Sequence, residues 1–247
     1  MSAAAARGLP FAFPRDFLWA QVASLYPMKI TPAFPLSLLL GVSLLGAAPE
    51  NPIPQLKFTW ADPADPAVAE IRQAGESTIQ FIGTRLISEV NQVLAAKGAE
   101  EAIDVLHLKS LSLPAARAGK PVITAVRRTS LKVRNHANAP DSADLAALMS
   151  IEKELMDGNN PPKVLVQHVE ADGVTPEEWR VYRPISVVST CLACHGPVES
   201  LPPGVQAKLA RLYPDDKAVT YATYDWRGII RVSLTLAPAP SAKKPSP

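Results

Sequence analysis

The spacing of hydrophobic positions predicts helices in the first part of the chain and strands in the second. From Ala67 to Lys97, apolar residues recur three to four positions apart, which is typical of a long amphipathic helix, and Gly98 ends it. A shorter helix is predicted in "AEEAIDVLHLKSL", which stops before Pro114. After Gly119, branched apolar residues alternate with charged ones, and this alternation indicates strands.

Further strands and two short helices are expected in the second half of the chain. The strands are predicted in "PVITAVRRTSLKVRN", "KVLVQHVEA" and "EEWRVYRPISVV", followed by a final hairpin, "TYATYDWRGIIRVSLTL", that turns at Trp226 to Gly228. One helix begins at Asp141 or Ser142, and another lies near Val205 to Leu212. Helices grouped at one end of the chain and strands at the other predict an α+β domain with an antiparallel sheet.

Both ends of the chain differ in composition from this domain. Residues 1–48 are interpreted as an upstream extension and a secretory signal, with Met28 as the expected true start, because Lys29 precedes a mostly apolar stretch from Leu36 to Leu45. That stretch is short for a membrane span, so we expect export to the periplasm, with membrane anchoring if the signal is not cleaved. Residues 49–66 are predicted to form an extended proline-rich lead-in, residues 67–236 the domain, and residues 237–247 a disordered proline-rich tail.

The charge balance excludes some classes of partner. The 247 residues carry a formal net charge of +2, and 22 basic and 22 acidic residues remain once residues 1–48 are set aside. No polybasic field is left to attract nucleic acid or anionic lipid. The length fits one medium domain with terminal extensions.

The stretch "STCLACHGP", residues 189–197, holds both cysteines of the chain and a histidine. In a C-x-x-C-H motif, two thiols three residues apart can each add to one vinyl group of a haem, and the adjoining histidine can bind the iron. Cys191 and Cys194 would then attach one covalent haem c, with His195 as the ligand of its iron. Attachment of this kind belongs to exported proteins, which agrees with the signal.

Three other readings of the motif compete with haem attachment. A zinc site would need a second close pair of ligands, whereas His107, His136 and His168 are scattered singly along the sequence. A thioredoxin-like thiol pair would open a helix in a βαβ unit, but here the motif follows a strand in an antiparallel context. A structural disulfide is the plainest alternative in an exported protein.

The flanks of the motif strengthen the haem interpretation. Together "RRTSLKVRNHANAPD", "CLACHG" and "YPDDKAVTYATYDWRGIIRVSL" resemble the Tll-like haem-domain family over roughly residues 65–236. The resemblance implies one c-type haem on a PAS-like antiparallel sheet behind a long N-terminal helix, export, and a sensory or redox role. Similar domains are extracytoplasmic inputs of signalling proteins. This chain has no kinase or cyclase region after the domain, so its output is expected to pass through a redox or signalling partner.

Two departures from the family pattern concern the second axial ligand of the iron. Family members often carry a cysteine at the position of Leu106, and His136 stands where a proline is expected. We therefore expect His107, which neighbours the family position, to be the distal ligand. His136 and an open five-coordinate iron are the alternatives, and both His136 and His168 could instead be solvated residues.

Haem propionates need cations, and three arginines on or near the predicted pocket strands are candidates: Arg128, Arg134 and Arg183. Each could instead be an exposed strand residue, because alternation places half of a strand's side chains in water. Aromatic residues could wall the porphyrin or be ordinary core: Trp179, Tyr182, Tyr221, Tyr224 and Trp226.

The sequence therefore predicts an exported mono-haem protein that acts as a redox or small-ligand sensor or as an electron carrier, and not as an enzyme. The alternatives are a haem enzyme of the peroxidase type with an open distal site, and a non-haem interaction domain with a disulfide. The apolar stripe of the long helix accounts equally for a homodimer and for packing on the chain's own sheet.

Overall fold

The computed structural model describes residues 55–106 and 113–236. Its strands are β1 Phe58–Ala61, β2 Val122–Thr129, β3 Leu165–Val169, β4 Glu178–Ser186 and β5 Trp226–Thr235. Its helices are α1 Ala69–Leu106, α2 Ser142–Met156, α3 Leu192–His195 and α4 Pro203–Leu212. Short 3-10 turns lie at Pro66–Val68, His136–Asn138, Ser189–Cys191 and Val198–Ser200. The expected signal, the tail and His107 lie outside the described residues.

The five strands form one antiparallel sheet in the order β1-β3-β4-β5-β2. Helix α1 packs on one face of this sheet, which confirms the predicted α+β class with a long N-terminal helix against an antiparallel sheet. None of the helices in the described part of the chain is both long enough and apolar enough to cross a membrane.

Alternation along the strands gives the sheet two different apolar faces. Toward α1, the strand residues Val166, Val181, Ile230, Val232 and Leu234 form a buried cluster with Ile71 and Ile79. Toward α2, Tyr182 and Ile229 form a second cluster with Ala147, Leu148 and Ile151. Both faces of the central strands are therefore covered.

Helix α1 consists of two segments that meet at Gly98. The backbone there has φ 74° and ψ 172°, which is outside the helical region and is open to glycine because it lacks a Cβ atom. The first segment lies on the sheet, and the second places Ile103 against Val205 and Leu209 of α4. The predicted end of the long helix at Gly98 is confirmed, and the predicted second helix is confirmed as far as Leu106, where the described part of it ends.

The structure corrects the sequence prediction in two places. Residues 220–236 do not form a hairpin, because Trp226–Thr235 is one continuous strand that pairs with both β4 and β2. Gly228 does not turn the chain; it allows close packing, since a Cβ atom there would lie 2.3 Å from the carbonyl oxygen of Thr129. The proline-rich lead-in also contains a strand, β1, which pairs with β3 at the edge of the sheet.

Candidate functional site

The C-x-x-C-H turn follows β4 and forms a short 3-10 turn and the single-turn helix α3. Both cysteines are half-buried free thiols. Cys191 packs against a buried cluster that contains Val187 and Tyr221, whereas Cys194 packs against the cluster that joins α1 to α4. The two sulfur-bearing side chains thus lie between the end of the sheet and the second segment of α1.

Residues 215–221, which we name the platform loop, hold the turn from the other side. The backbone N–H groups of Thr220 and Tyr221 donate to the carbonyl oxygens of Gly196 and His195, at 2.9 and 3.0 Å. Gly196 is needed locally because a Cβ atom there would lie 2.8 Å from the carbonyl oxygen of Leu192. Glycine at this position is therefore required by a contact within the turn itself.

One ring nitrogen of His195 forms a hydrogen bond with the platform loop. Its Nδ1 lies 2.7 Å from the carbonyl oxygen of Ala218, and a carbonyl can only accept, so Nδ1 carries the proton. The lone pair is then on Nε2. Burial, with the positive charges of Arg134 and Arg227, lowers the pKa of His195 to about 3, so the ring is neutral. A neutral imidazole oriented through its other nitrogen is the usual arrangement of a histidine that binds a metal.

Arg134 contacts both the C-x-x-C-H turn and the platform loop through two of its side-chain nitrogens. Its Nε donates to Asp216 Oδ2 at 2.9 Å, and its Nη2 donates to the carbonyl oxygens of Cys194 and Ala218 at 2.6 and 3.1 Å. Both side chains of the Arg134–Asp216 pair are nearly buried, with 12% and 10% exposed. Arg134 therefore holds the backbone of the motif, a role that differs from the predicted contact with a propionate.

Two other arginines add positive charge around His195. Arg128, on β2, and Arg227, on β5, both act on the charge of the histidine ring. Burial and the neighbouring charge of Arg227 lower the pKa of Arg128, yet both guanidiniums stay charged at any ordinary pH. In the described ranges no carboxylate lies within ion-pair distance of either one. Arg227 was missed by the sequence interpretation, which placed it in a turn.

Arg183 lies on the α1 face of β4, in a groove between that helix and the sheet. The groove has a volume of about 440 Å³ and is lined by residues of α1 and of two strands: Ile79, Gly83, Ile87, Arg183, Ile185 and Ile230. Arg183 and Arg128 each pair with Ile230, from opposite sides, so the three side chains form a row on this face.

Neither of the other two described histidines, His136 and His168, forms a hydrogen bond with the motif. His136 is 75% exposed, with its Nε2 3.5 Å from Asp215. His168, on β3, bonds Glu177 at 2.7 Å and stacks on Trp179.

Of the aromatic candidates, Tyr221 meets the edge of the His195 ring, with the ring centroids 6.3 Å apart. Tyr182 is buried under α2, Trp226 packs beside it, and Tyr224 is 85% exposed.

The competing chemistries of the motif find little support in the described residues. No group of three or more His, Cys, Asp or Glu side chains among residues 55–106 and 113–236 is arranged to hold a metal ion. Burial raises the pKa of Cys194, whereas catalytic thiols have a lowered pKa. The two thiols are not joined in a disulfide.

Fold and site together define a class of protein: an α+β domain in which a C-x-x-C-H turn is fixed to a loop behind an antiparallel sheet. The chain belongs to the Tll0287-like family, whose model matches residues 80–235, and the resemblance seen in the sequence is thereby confirmed. The chain is also similar to the cyanobacterial heme protein Tll0287, whose crystal structure is 21% identical over 73% of this chain and 99% of that one, with a TM-score of 0.35. No protein with curated annotation matches the chain.

Proposed function

We propose that this chain is an exported protein that binds one haem c, attached through Cys191 and Cys194 and held at the iron by His195. The observation that carries this proposal is the hydrogen bond from His195 Nδ1 to the carbonyl oxygen of Ala218, because it leaves the lone pair on Nε2 in a turn that also holds two free thiols. A histidine that only packed in the core would not require two free thiols in the same turn. The similar heme protein Tll0287 agrees with this choice of cofactor.

The surroundings of the motif fit a haem in charge and in polarity. Propionates require cations, and Arg128 and Arg227 supply guanidinium groups without a carboxylate partner among the described residues. The porphyrin requires apolar contacts, which the α1 groove offers through Ile79, Ile87 and Ile230. Arg183, at the rim of that groove, is a further candidate for a propionate.

When bound, haem iron would supply reversible one-electron chemistry and could take a second ligand from the protein. The residues of this chain perform the rest. Cys191 and Cys194 would each add sulfur and hydrogen across one vinyl double bond, without net oxidation or reduction. The neutral ring of His195 would bind through Nε2 while Ala218 keeps the ring from rotating.

For the distal side we propose His107, which directly follows Leu106 in the sequence. The last described turns of α1 support this choice, because Ile103 packs in the same cluster as Cys194. Two histidine ligands give low-spin iron, which suits electron transfer or redox sensing. The role we propose is therefore a periplasmic redox or small-ligand sensor, or an electron carrier, that passes its output to a redox or signalling partner.

Haem staining after denaturing electrophoresis tests covalent attachment. The wild-type chain should give a stained band and a mass that exceeds the polypeptide by one haem. The double variant Cys191→Ser/Cys194→Ser should lose the stain, and His195→Ala should lose the low-spin absorption spectrum. His168→Ala, which removes a histidine on a distant strand, is the matched control and should retain both. A colourless wild-type protein with the mass of the bare chain would refute the proposal.

The distal ligand is tested by the absorption spectrum of His107→Ala. This variant should change from six-coordinate to five-coordinate iron and bind carbon monoxide rapidly, while His136→Ala should leave the spectrum unchanged. An unaltered spectrum in His107→Ala would exclude His107 as the distal ligand. We would then expect His136 to be the ligand, or the iron to be five-coordinate.

A further inference from the structure

A closed set of hydrogen bonds connects Arg134 to the proximal histidine. Arg134 donates from Nε to Asp216 Oδ2, and the other oxygen of that carboxylate, Oδ1, accepts from the backbone N–H of Ala218 at 2.8 Å. The carbonyl oxygen of the same Ala218 accepts from both Arg134 Nη2 and His195 Nδ1. Asp216 and Arg134 thus hold the N–H and the C=O of one residue, and that residue orients the histidine.

The two donors on the Ala218 oxygen compete for its electron density. A carbonyl has two lone pairs, so both bonds can form, but a charged guanidinium draws density away from the oxygen. The bond from His195 Nδ1 is therefore weaker than it would be to an unshared carbonyl. A weaker bond at Nδ1 makes Nε2 a poorer electron donor to a metal, because the hydrogen-bond partner of one ring nitrogen sets the basicity of the other.

Asp216 limits this effect of Arg134. The carboxylate neutralises the guanidinium inside a nearly buried pair, where charges are screened less than in water. The charge of Arg134 and the charge of Asp216 consequently act on His195 with opposite signs. The same residues also fix the motif's backbone, through the bond from Arg134 to the carbonyl oxygen of Cys194.

We propose that Arg134 and Asp216 are positioning residues that set the electron donation of His195, and so the reduction potential of the haem iron, through the shared carbonyl of Ala218. This inference rests on the proposed function. It differs from the sequence-based prediction, in which Arg134 contacts a propionate.

The midpoint potential of single variants tests the proposal. Arg134→Met removes the competing donor and its charge, so the ferric form is favoured and the potential falls. Asp216→Asn keeps the shape but removes the opposing charge, so the potential rises. Each change should alter the equilibrium between ferric and ferrous iron about tenfold, which is ~59 mV for one electron. Arg134→Lys, which keeps the charge, should stay closer to the wild type than Arg134→Met.

Arg117→Met, which removes a positive charge from an exposed turn before β2, is the matched control and should leave the potential unchanged. Shifts of the same sign in Arg134→Met and Asp216→Asn, or no shift in either, would overturn the proposal while leaving haem attachment intact. If Arg134→Met fails to take up haem, the direction of the shift in Asp216→Asn still tests the proposal, and Arg134→Lys tests whether the charge of residue 134 is what matters. If all three variants lose haem while Arg117→Met retains it, the pair serves only to build the turn and the proposal is wrong. A wild-type protein without haem would instead refute the proposed function itself.

Discussion

The carboxylate of Asp141 both caps helix α2 and pairs with two arginines of the sheet. It caps α2 by accepting from the backbone N–H of Asp144, and it pairs with Arg180 and Arg231 at the surface of the sheet. Arg180 is almost fully buried, as is Asp144, which also contacts Arg231. These charges tie α2 to β4 and β5 in a layer where water cannot replace a lost partner.

Asp141→Ala should therefore lower the free energy of unfolding by about 3 kcal/mol, because it leaves buried arginines without one of their partners. Asp141→Asn should cost about 1 kcal/mol less, since asparagine is as good an N-cap as aspartate. Urea unfolding at neutral pH measures both. Equal stability of the Ala and Asn variants would contradict the capping role.

The cost of Asp141→Asn should also depend on pH. Burial acts to raise the pKa of Asp141, but hydrogen bonds with Arg180 and Asp144 outweigh it and hold the pKa below the ordinary value of 3.8. A lowered folded-state pKa contributes stability above that value, and the contribution is lost as the pH falls through the folded-state pKa. The difference in stability between wild type and Asp141→Asn should accordingly shrink below about pH 3.8. A difference that grows in acid would contradict this direction.

At the residue level, the sequence reveals the parts of the site that are contiguous. Cys191, Cys194 and His195 stand within five positions, so their spacing alone predicts their chemistry. Asp216 and Ala218 complete the environment of His195 from a loop distant in sequence, and only tertiary packing brings them there. The sequence placed Arg134 in the candidate site, but the atoms that it contacts depend on tertiary packing and could not be predicted.

Among the elements, the contact between α1 and β4 depends on one glycine. A Cβ atom on Gly75 would lie 2.5 Å from the Cβ atom of Val181, closer than two carbon atoms can approach. Gly75→Ala should therefore destabilise the fold by about 2 kcal/mol, as overpacked core substitutions do. Thermal unfolding measures this cost.

Gly83→Ala on the same helix is the matched control. Its new Cβ atom would meet only the Cδ1 atom of Ile230, at 3.9 Å, which is an ordinary contact. Because alanine favours the helix by up to ~1 kcal/mol over glycine, this variant should be as stable as the wild type or more so. Loss of stability in both variants would mean that the helix tolerates no side chain on this face.

Helix ends that depend only on neighbouring residues can be predicted from the sequence. The break at Gly98 and the cap at Asp141 were both predicted correctly, because each depends on residues within one helical turn. The final strand was misread as a hairpin because "YDWRG" has the composition of a turn, although Gly228 serves close approach to β2. Strand β1 was missed because prolines surround a short edge strand whose partner, β3, is far along the chain.

At the scale of the whole molecule, one stretch of α1 has little buried surface among the described residues. No residue between Ile82 and Ala102 is buried in the described structure, although Leu86, Val90, Val93 and Leu94 are apolar and half-buried. This stretch lies between the groove beside Arg183 and the helical turn that contacts Cys194. A haem attached at the motif would supply the missing apolar contact.

Hydrogen exchange should therefore separate the loaded and unloaded forms. Backbone amides of residues 83–97 should exchange more slowly in the haem-bearing protein than in Cys191→Ser/Cys194→Ser. Amides of strand β3, which contributes no residue to the groove or to the motif, should exchange equally in both, and they serve as the internal control. Equal exchange over residues 83–97 would show that this stretch gains nothing from the cofactor.

The position of β5 also affects the order in which the domain is completed. This last strand lies between β4 and β2, so the sheet cannot close until residues 226–235 have been synthesised. Both thiols and the neighbouring imidazole precede that strand along the chain, and domains fold as they emerge from the N-terminus. The proposed attachment of haem could therefore take place on the emerging chain, before the platform loop and the final strand enclose the motif.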